Sequence, residues 1–247
     1  MPEPLSIVIP AFNEEHRLAI TVRGVLEAAR AILPEFQIII VNDGSSDGTA
    51  AIADQLQAQH AEIEVMHFPE NRGVGAAFFY GLQNAKHDYL TLVPGDNAFQ
   101  HESIARLFEH VGLCQVVVSY RENMQCRTRL RRWLSRCCTF TMRIVAGCPI
   151  RDAHSLYVFP VEEARQVRPN PGYGYHLETL STLLRGKLIY RELPVYLTPR
   201  PDYSSQVMRW PVLFSLMLTM LRQLWKFVIL GRKQRFTNSP VKLLHSH

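Results

Sequence analysis

The chain is poor in the features that would make it a secreted, disulfide-bound or membrane-spanning protein. Its cysteines number five in 247 residues, an odd count, with Cys137 and Cys138 adjacent and no metal-type spacing anywhere. That pattern excludes a disulfide framework and leads us to expect a reducing compartment. The opening MPEPLSIVIPAFNEE has neither a basic stretch nor a long apolar run, so no secretory signal is expected there. The longest unbroken apolar run near the C-terminus, Trp210 to Leu221, has 12 residues, whereas spanning a bilayer takes about 20. Charge is moderate too: charged residues make up 20% and apolar ones 47%, with a net +5, as in an ordinary folded protein. The length suits one large core, or one domain with an appendage.

What the chain does have is regular alternation. Short apolar runs occupy 5–10, 36–42, 62–68, 88–94 and 114–120, with a length and polar flanks that suit strands buried on both faces. Helical patterns separate them at 14–33, 49–59, 73–86 and 101–111. In the first of these Leu18, Val22, Val25, Leu26, Ala29, Ile32 and Leu33 keep a spacing of three or four. Strand and helix alternating in this way predict an α/β protein, a mainly parallel sheet with helices on both faces.

In such a sheet the loops after the strands meet at one edge, where ligands bind. Here those loops read PAFNEE, NDGSSDGT, PENRGVGAA and PGDNAFQ. Each alone reads as turn or helix-start chemistry. Together they are expected to bring Glu14, Asp43, Asn71 and Asp96 around one crevice.

The ordered set IVIPAFNEE, IIIVNDGSSDGT, NRGVGAAFFYGL and the acidic turn at 94–100 resembles the nucleotide-sugar domain of family 2 glycosyltransferases, and within them the dolichol-phosphate mannose synthase branch. Weaker echoes continue as SYR (119–121), LSR (134–136), GCPIRDAHS (147–155), HLETL (176–180) and ELPVYLTPR (192–200), so the resemblance reaches about residue 206. It implies the Rossmann-like glycosyltransferase A-type fold and transfer of a hexose, with inversion, from a GDP- or UDP-sugar to a polyprenyl phosphate or related lipid. It assigns Pro10, Phe12 and Glu14 to the base and ribose, Asp43 to a hydrogen bond from the base, and Asn71, Gly73, Gly75 and Arg136 to the rest of the donor. Arg121 and Arg200 are implied near the diphosphate, and Asp96 and Gln100 as ligands of Mg2+ or Mn2+. Phe12 stands where Tyr is usual, Asn42 where a second Asp is common, and Gln206 where the family has Lys. The second acid of the Asp-x-Asp motif is replaced by Ala98, or by Asn97 if the register slips by one. A divalent ion leaning on one carboxylate and the donor's phosphates remains feasible; a metal-free alternative has arginines neutralise the leaving group.

Six arginines lie between Arg121 and Arg136 (121, 127, 129, 131, 132, 136) against one acid, Glu122. Of these, Arg127, Arg129, Arg131 and Arg132 form either a solvated basic face or a contact for anionic lipid; nucleic acid is disfavoured, since no base-reading module accompanies them. Residues 207–247 are expected as an appendage to a catalytic domain of 1–206. Within it, the apolar 207–231, carrying Trp210 and Trp225 with flanking cations, suits an interfacial amphipathic helix. The alternatives there are packing on the domain, a dimer interface or a tilted span. The expected location is cytoplasmic, peripheral on the inner face of the membrane.

A lipid phosphate is already an anion and attacks without a strong base, whereas a hydroxyl acceptor needs one. Asp152 and Glu178 are the candidates for that base, followed by His154 and His176. DAHSL at 152–156 departs from the family's turn at Leu156 and Val158. Two further readings stay open beside the lipid-phosphate one: a non-catalytic nucleotide-sugar-binding relative, and a transferase to a sugar or lipid hydroxyl. A nucleotidyltransferase is disfavoured because PAFNEEHR lacks a Gly- and Lys/Arg-rich triphosphate loop.

Overall fold

The computed structural model describes residues 1–126, 128–167, 172, 174–199 and 210–229. The expected alternation is present: β1 (Leu5–Ala11), α1 (Leu18–Ile32), β2 (Phe36–Asp43), α2 (Thr49–Gln59), β3 (Ile63–Phe68), α3 (Val74–Asn84), β4 (Tyr89–Leu92), α4 (His101–Phe108) and β5 (Val116–Arg121). Beyond it lie α5 (Arg129–Ala146), β6 (Tyr157–Pro160), α6 (Val161–Arg165), α7 (Tyr175–Arg185), β7 (Tyr190–Val195) and α8 (Trp210–Leu224), which continues as a π-helical turn, Trp225–Ile229.

The seven strands form one sheet in the order β3-β2-β1-β4-β6-β5-β7. β6 runs antiparallel to β4 and β5, and every other pairing is parallel. Alternate residues of each central strand enter opposite cores. Leu5, Ile7 and Ile9 of β1 and Ile38 and Ile40 of β2 pack with α1, α2 and α4. Val8, Ile39 and Val41 face the other way, toward α3, α5, α6 and α7. Burial on both faces explains why these strands read as continuous apolar runs.

The order reverses at β1, with β2 on one side and β4 on the other, so the carboxyl ends of β1 and β4 flank a topological switch point. Because β6 is antiparallel, the turn before it (152–156) also lies at that edge, as does the end of β5.

One boundary differs from the expectation. The first helix begins at Leu18, not residue 14: residues 14–17 form a turn whose Glu14 carbonyl accepts the Arg17 and Leu18 N–H groups, with the Glu14 and Glu15 N–H groups bonded to Thr49 and Asp47. Of the C-terminal segment the structure describes 210–229, where Thr219, Gln223 and Phe227 are buried and α8 lies against α5 and α7. Among the described residues no helix is long and apolar enough to cross a membrane.

Candidate active site

The loops after β1 and β2 are laced to each other through side chains. Ser45 Oγ accepts the Asn13 N–H at 3.0 Å, and Asn13 Oδ1 accepts the Ser46 N–H at 2.9 Å. Thr49 Oγ1 accepts the Glu14 N–H at 2.8 Å, and Glu15 Oε2 accepts the Gly48 N–H at 2.9 Å. Asn13 sits at φ +55°, in the left-handed region that asparagine tolerates. Glu14 is partly buried, with Arg17 at 3.6 Å, and Phe12 presents its ring at 37% exposure.

Asp43 is 4% exposed and accepts two backbone N–H groups, from Arg72 on Oδ1 (2.7 Å) and from Gly73 on Oδ2 (2.9 Å). It therefore ties the end of β2 to the glycine loop that opens α3. Gly44, at φ +69°, makes that closeness possible: a Cβ there would lie 2.4 Å from the Glu70 carbonyl carbon. Each Asp43 oxygen keeps a second lone pair for a further donor such as a base N–H. Asn71 is exposed beside it, Gly73 sits at φ +87°, and Gly75 is buried in the first turn of α3.

The turn after β4 is clamped from three sides. The Gly95 N–H donates to the Pro10 carbonyl at 3.0 Å, across the switch point, and a Cβ on Gly95 would press on that oxygen at 2.9 Å. Thr21, buried in α1, donates its hydroxyl to the Gly95 carbonyl (3.1 Å) and accepts the Asn97 N–H (3.0 Å). Beyond β7, the Tyr196 carbonyl accepts the Gln100 N–H and the Ala98 carbonyl accepts the Thr198 N–H, each at 3.0 Å. Asp96 and Gln100 are half-buried. Ala98 and Phe99 are each 7% exposed and belong to the core that α1 and α4 cover. A carboxylate at position 98 would thus enter an apolar cluster.

Arg121 and Asp152, expected as a diphosphate cation and a base, are partners in a buried pair. The guanidinium donates to Asp152 from Nε at 2.5 Å and from Nη2 at 2.7 Å, and Nη2 also donates to Ser135 Oγ at 2.9 Å. The two side chains are 2% and 8% exposed. Burial alone would push the Asp152 carboxyl up. The Arg121 charge and hydrogen bonds, helped by the His154 N–H, outweigh it and hold the carboxyl at about 2. Glu178, the other base candidate, is buried and ion-paired with Arg222 of α8. The His154 and His176 rings stand edge to face, 4.7 Å apart, beside these pairs. Arg136 is exposed on α5, and Arg200 lies outside the described residues.

The residues missed in the sequence are the ones that fasten the loops: Asn13, Glu15, Ser45, Asp47 and Thr21. Asp47-x-Thr49 was legible as a helix-start signal, since Asp47 Oδ1 accepts the Thr49 N–H at 3.0 Å. A threonine inside an amphipathic helix gave no such hint for Thr21.

The chemistry of the donor set fits a divalent cation only jointly with a ligand's phosphates. Among the described residues no three His, Cys, Asp or Glu side chains converge as a metal site. Asp96 and Gln100 contribute one carboxylate and one amide oxygen, both hard donors.

Comparison with known proteins agrees with this architecture. The pattern of Glycosyl transferase family 2 matches residues 6–157. An undecaprenyl-phosphate mannosyltransferase of Micrococcus luteus is 27% identical over 213 residues, covering 81% of this chain and 86% of that one. An undecaprenyl-phosphate 4-deoxy-4-formamido-L-arabinose transferase of Pseudomonas fluorescens is 29% identical over 60% of this chain, and the match spans only 44% of its own length. Among solved structures, glucosyl-3-phosphoglycerate synthase of Mycobacterium tuberculosis, in complex with Mn2+, UDP and glucosyl-3-phosphoglycerate, superposes with a TM-score of 0.64. The match has 18% identity and covers 90% of this chain and 80% of that one.

Proposed function

The chain belongs to glycosyltransferase family 2, and from that premise we propose that it transfers a hexose, with inversion, from a GDP- or UDP-sugar to a polyprenyl phosphate or a related lipid phosphate. The observation that carries the acceptor class is the state of the two buried carboxylates on the acceptor side. Asp152 is held at about 2 by Arg121, and Glu178 is paired with Arg222. Each is already engaged by a guanidinium and so is not placed to take the proton of a hydroxyl acceptor. A phosphate monoester needs no such help. Relatives named for undecaprenyl-phosphate acceptors support the same reading.

Asp43 and the glycine loop that it braces would receive the nucleoside, with Pro10, Phe12 and Glu14 lining the other wall. Asn71, Gly73 and Gly75 present the start of α3, whose N–H groups favour an anion. Asp96 and Gln100 would hold Mg2+ or Mn2+ together with the diphosphate, and that ion would supply charge neutralisation at the leaving group. Arg136 and Arg200 are the cations assigned to the phosphates, while Arg121 and Asp152 position the turn before β6 against the end of β5. The C-terminal segment would keep the protein peripheral on the inner face of the membrane.

A second reading, a nucleotide-sugar-binding relative without turnover, draws on the burial of Ala98 where the family has an acid. One panel separates the two. Hydrolysis and transfer are measured for several GDP- and UDP-sugars, with and without Mn2+ and polyprenyl phosphate. The transferase reading expects product with one donor class, abolished in Asp96→Ala. Donor binding without product under every condition would favour the binding-only relative.

A further inference from the structure

We propose that α5, together with the outer face of α8, is a docking surface for an anionic lipid bilayer. Among the described residues α5 is amphipathic on both sides. One face, with Met142 (3%), Val145 (1%) and Ala146 (4%), is buried in the core. The opposite face leaves Leu130 (54%), Trp133 (61%), Phe140 (64%) and Ile144 (43%) in solvent. At about 100° per residue these four, with exposed Cys137, fall within roughly 80° of one another. Arg129, Arg132, Arg136 and Arg143 border that stripe on one side.

α8 repeats the pattern. Thr219, Gln223 and Phe227 face the domain, while Met217, Leu218, Leu221, Trp225 and Ile229 are exposed, with Arg222 and Lys226 beside them. Among the described residues this helix is not long and apolar enough to cross a membrane, and its one-sided exposed apolar face suits lying on one.

Charge selects the occupant. No acidic residue occurs from Asn123 to Arg151, nor in 210–229. A second copy seated on this face by two-fold symmetry would bring arginines against arginines. An anionic headgroup layer matches both the arginines and the tryptophans, which favour the membrane–water interface. α5 also starts within eight residues of the end of β5, after a 3-10 turn at Met124–Cys126, near the edge that carries Asp96, so docking there would bring the crevice to the lipid surface. In that respect the inference rests on the lipid-acceptor reading above; the docking itself does not require it.

The test floats the full chain with vesicles of phosphatidylcholine, alone or with about one third phosphatidylglycerol. The expected result is binding to the anionic vesicles, with Trp133→Asp plus Phe140→Asp weakening it by at least about tenfold. Arg129→Gln plus Arg132→Gln should weaken it by about twenty-five-fold, near fivefold for each cation. Should the aspartate variant misfold, brominated lipid should still quench parent tryptophan fluorescence more than that of Trp133→Phe. Undiminished flotation of the variants, or quenching indifferent to Trp133→Phe, would overturn the proposal. So would a parent dimer that the substitutions dissociate while vesicles bind neither form. Calorimetry with GDP and UDP reads the donor site separately, so either reading can fail alone.

Discussion

The loops after β1 to β4, at the edge of the sheet, and the helices α5 and α8, packed against each other, are held in opposite ways. In the loops, neutral or singly charged side chains bond to backbone: Asn13, Ser45, Thr49, Thr21 and Asp43 each accept a main-chain N–H. Around α5 and α8 the ties are charge pairs, Arg121 with Asp152 and Arg222 with Glu178, and apolar side chains remain outside. Bonds from side chain to backbone fix the path of a loop, as a site built from main-chain groups requires. Charge pairs between side chains anchor whole elements and leave the outer helix faces open to a partner.

The sharpest way to break this contrast is to remove one charge of a buried pair. Asp152→Ala leaves Arg121 buried and uncompensated, and should destabilise the fold by about 3–5 kcal/mol, read by chemical denaturation. The native pair also has a pH signature. The folded pKa of Asp152 lies below the ordinary value, so its contribution is complete above about pH 4 and fades as pH falls toward 2. The stability at stake is about 2 kcal/mol, and it should be missing from the acid limb of the variant.

Next in size is Ala98→Asp. Because the side chain enters the apolar cluster around α1 and α4, we expect a loss of about 2–4 kcal/mol of stability and no gain in Mn2+ affinity by electron paramagnetic resonance. Tighter Mn2+ with unchanged stability would mean that position 98 faces the crevice after all.

Asp43→Ala tests the polar side of the comparison. Freeing the Arg72 and Gly73 N–H groups should cost about 1–3 kcal/mol of nucleoside diphosphate affinity by calorimetry, with the fold retained. The smallest effect belongs to the exposed stripe. Trp133→Ala with Phe140→Ala should change stability by no more than about 0.5 kcal/mol, and a larger drop in melting temperature would show the stripe to be core.

How much was legible follows from how local each signal was. The strands β1 to β5 and their helices stood out because strands buried on both faces are unbroken apolar runs and the covering helices keep their period. Asp43, Asp96 and the glycine loop were legible as polar residues just after such runs. The double role of Thr21 was not, since a buried threonine in a helix has no distinguishing neighbour. The orientation of α8 was hidden for the opposite reason. WPVLFSLMLTMLRQL places Ser215, Thr219, Arg222 and Gln223 at helical spacing, so its period reads the polar face as the outward one. In the structure the covered residues include the polar Thr219 and Gln223, while Leu218 and Leu221 are exposed.

The sequence by itself determined the alternating architecture, the family and the edge at which the candidate site lies, because these depend on periodicity and on short motifs read in order. Tertiary structure alone decided that Asp152 is Arg121's counter-ion, that Ala98 points into the core, and that α5 and α8 leave apolar faces outside. Those outcomes depend on what residues far apart in the chain bring to one place. Arg121 and Asp152 are 31 positions apart, and Glu178 and Arg222 are 44. Only the folded packing brings such charges close enough to pair.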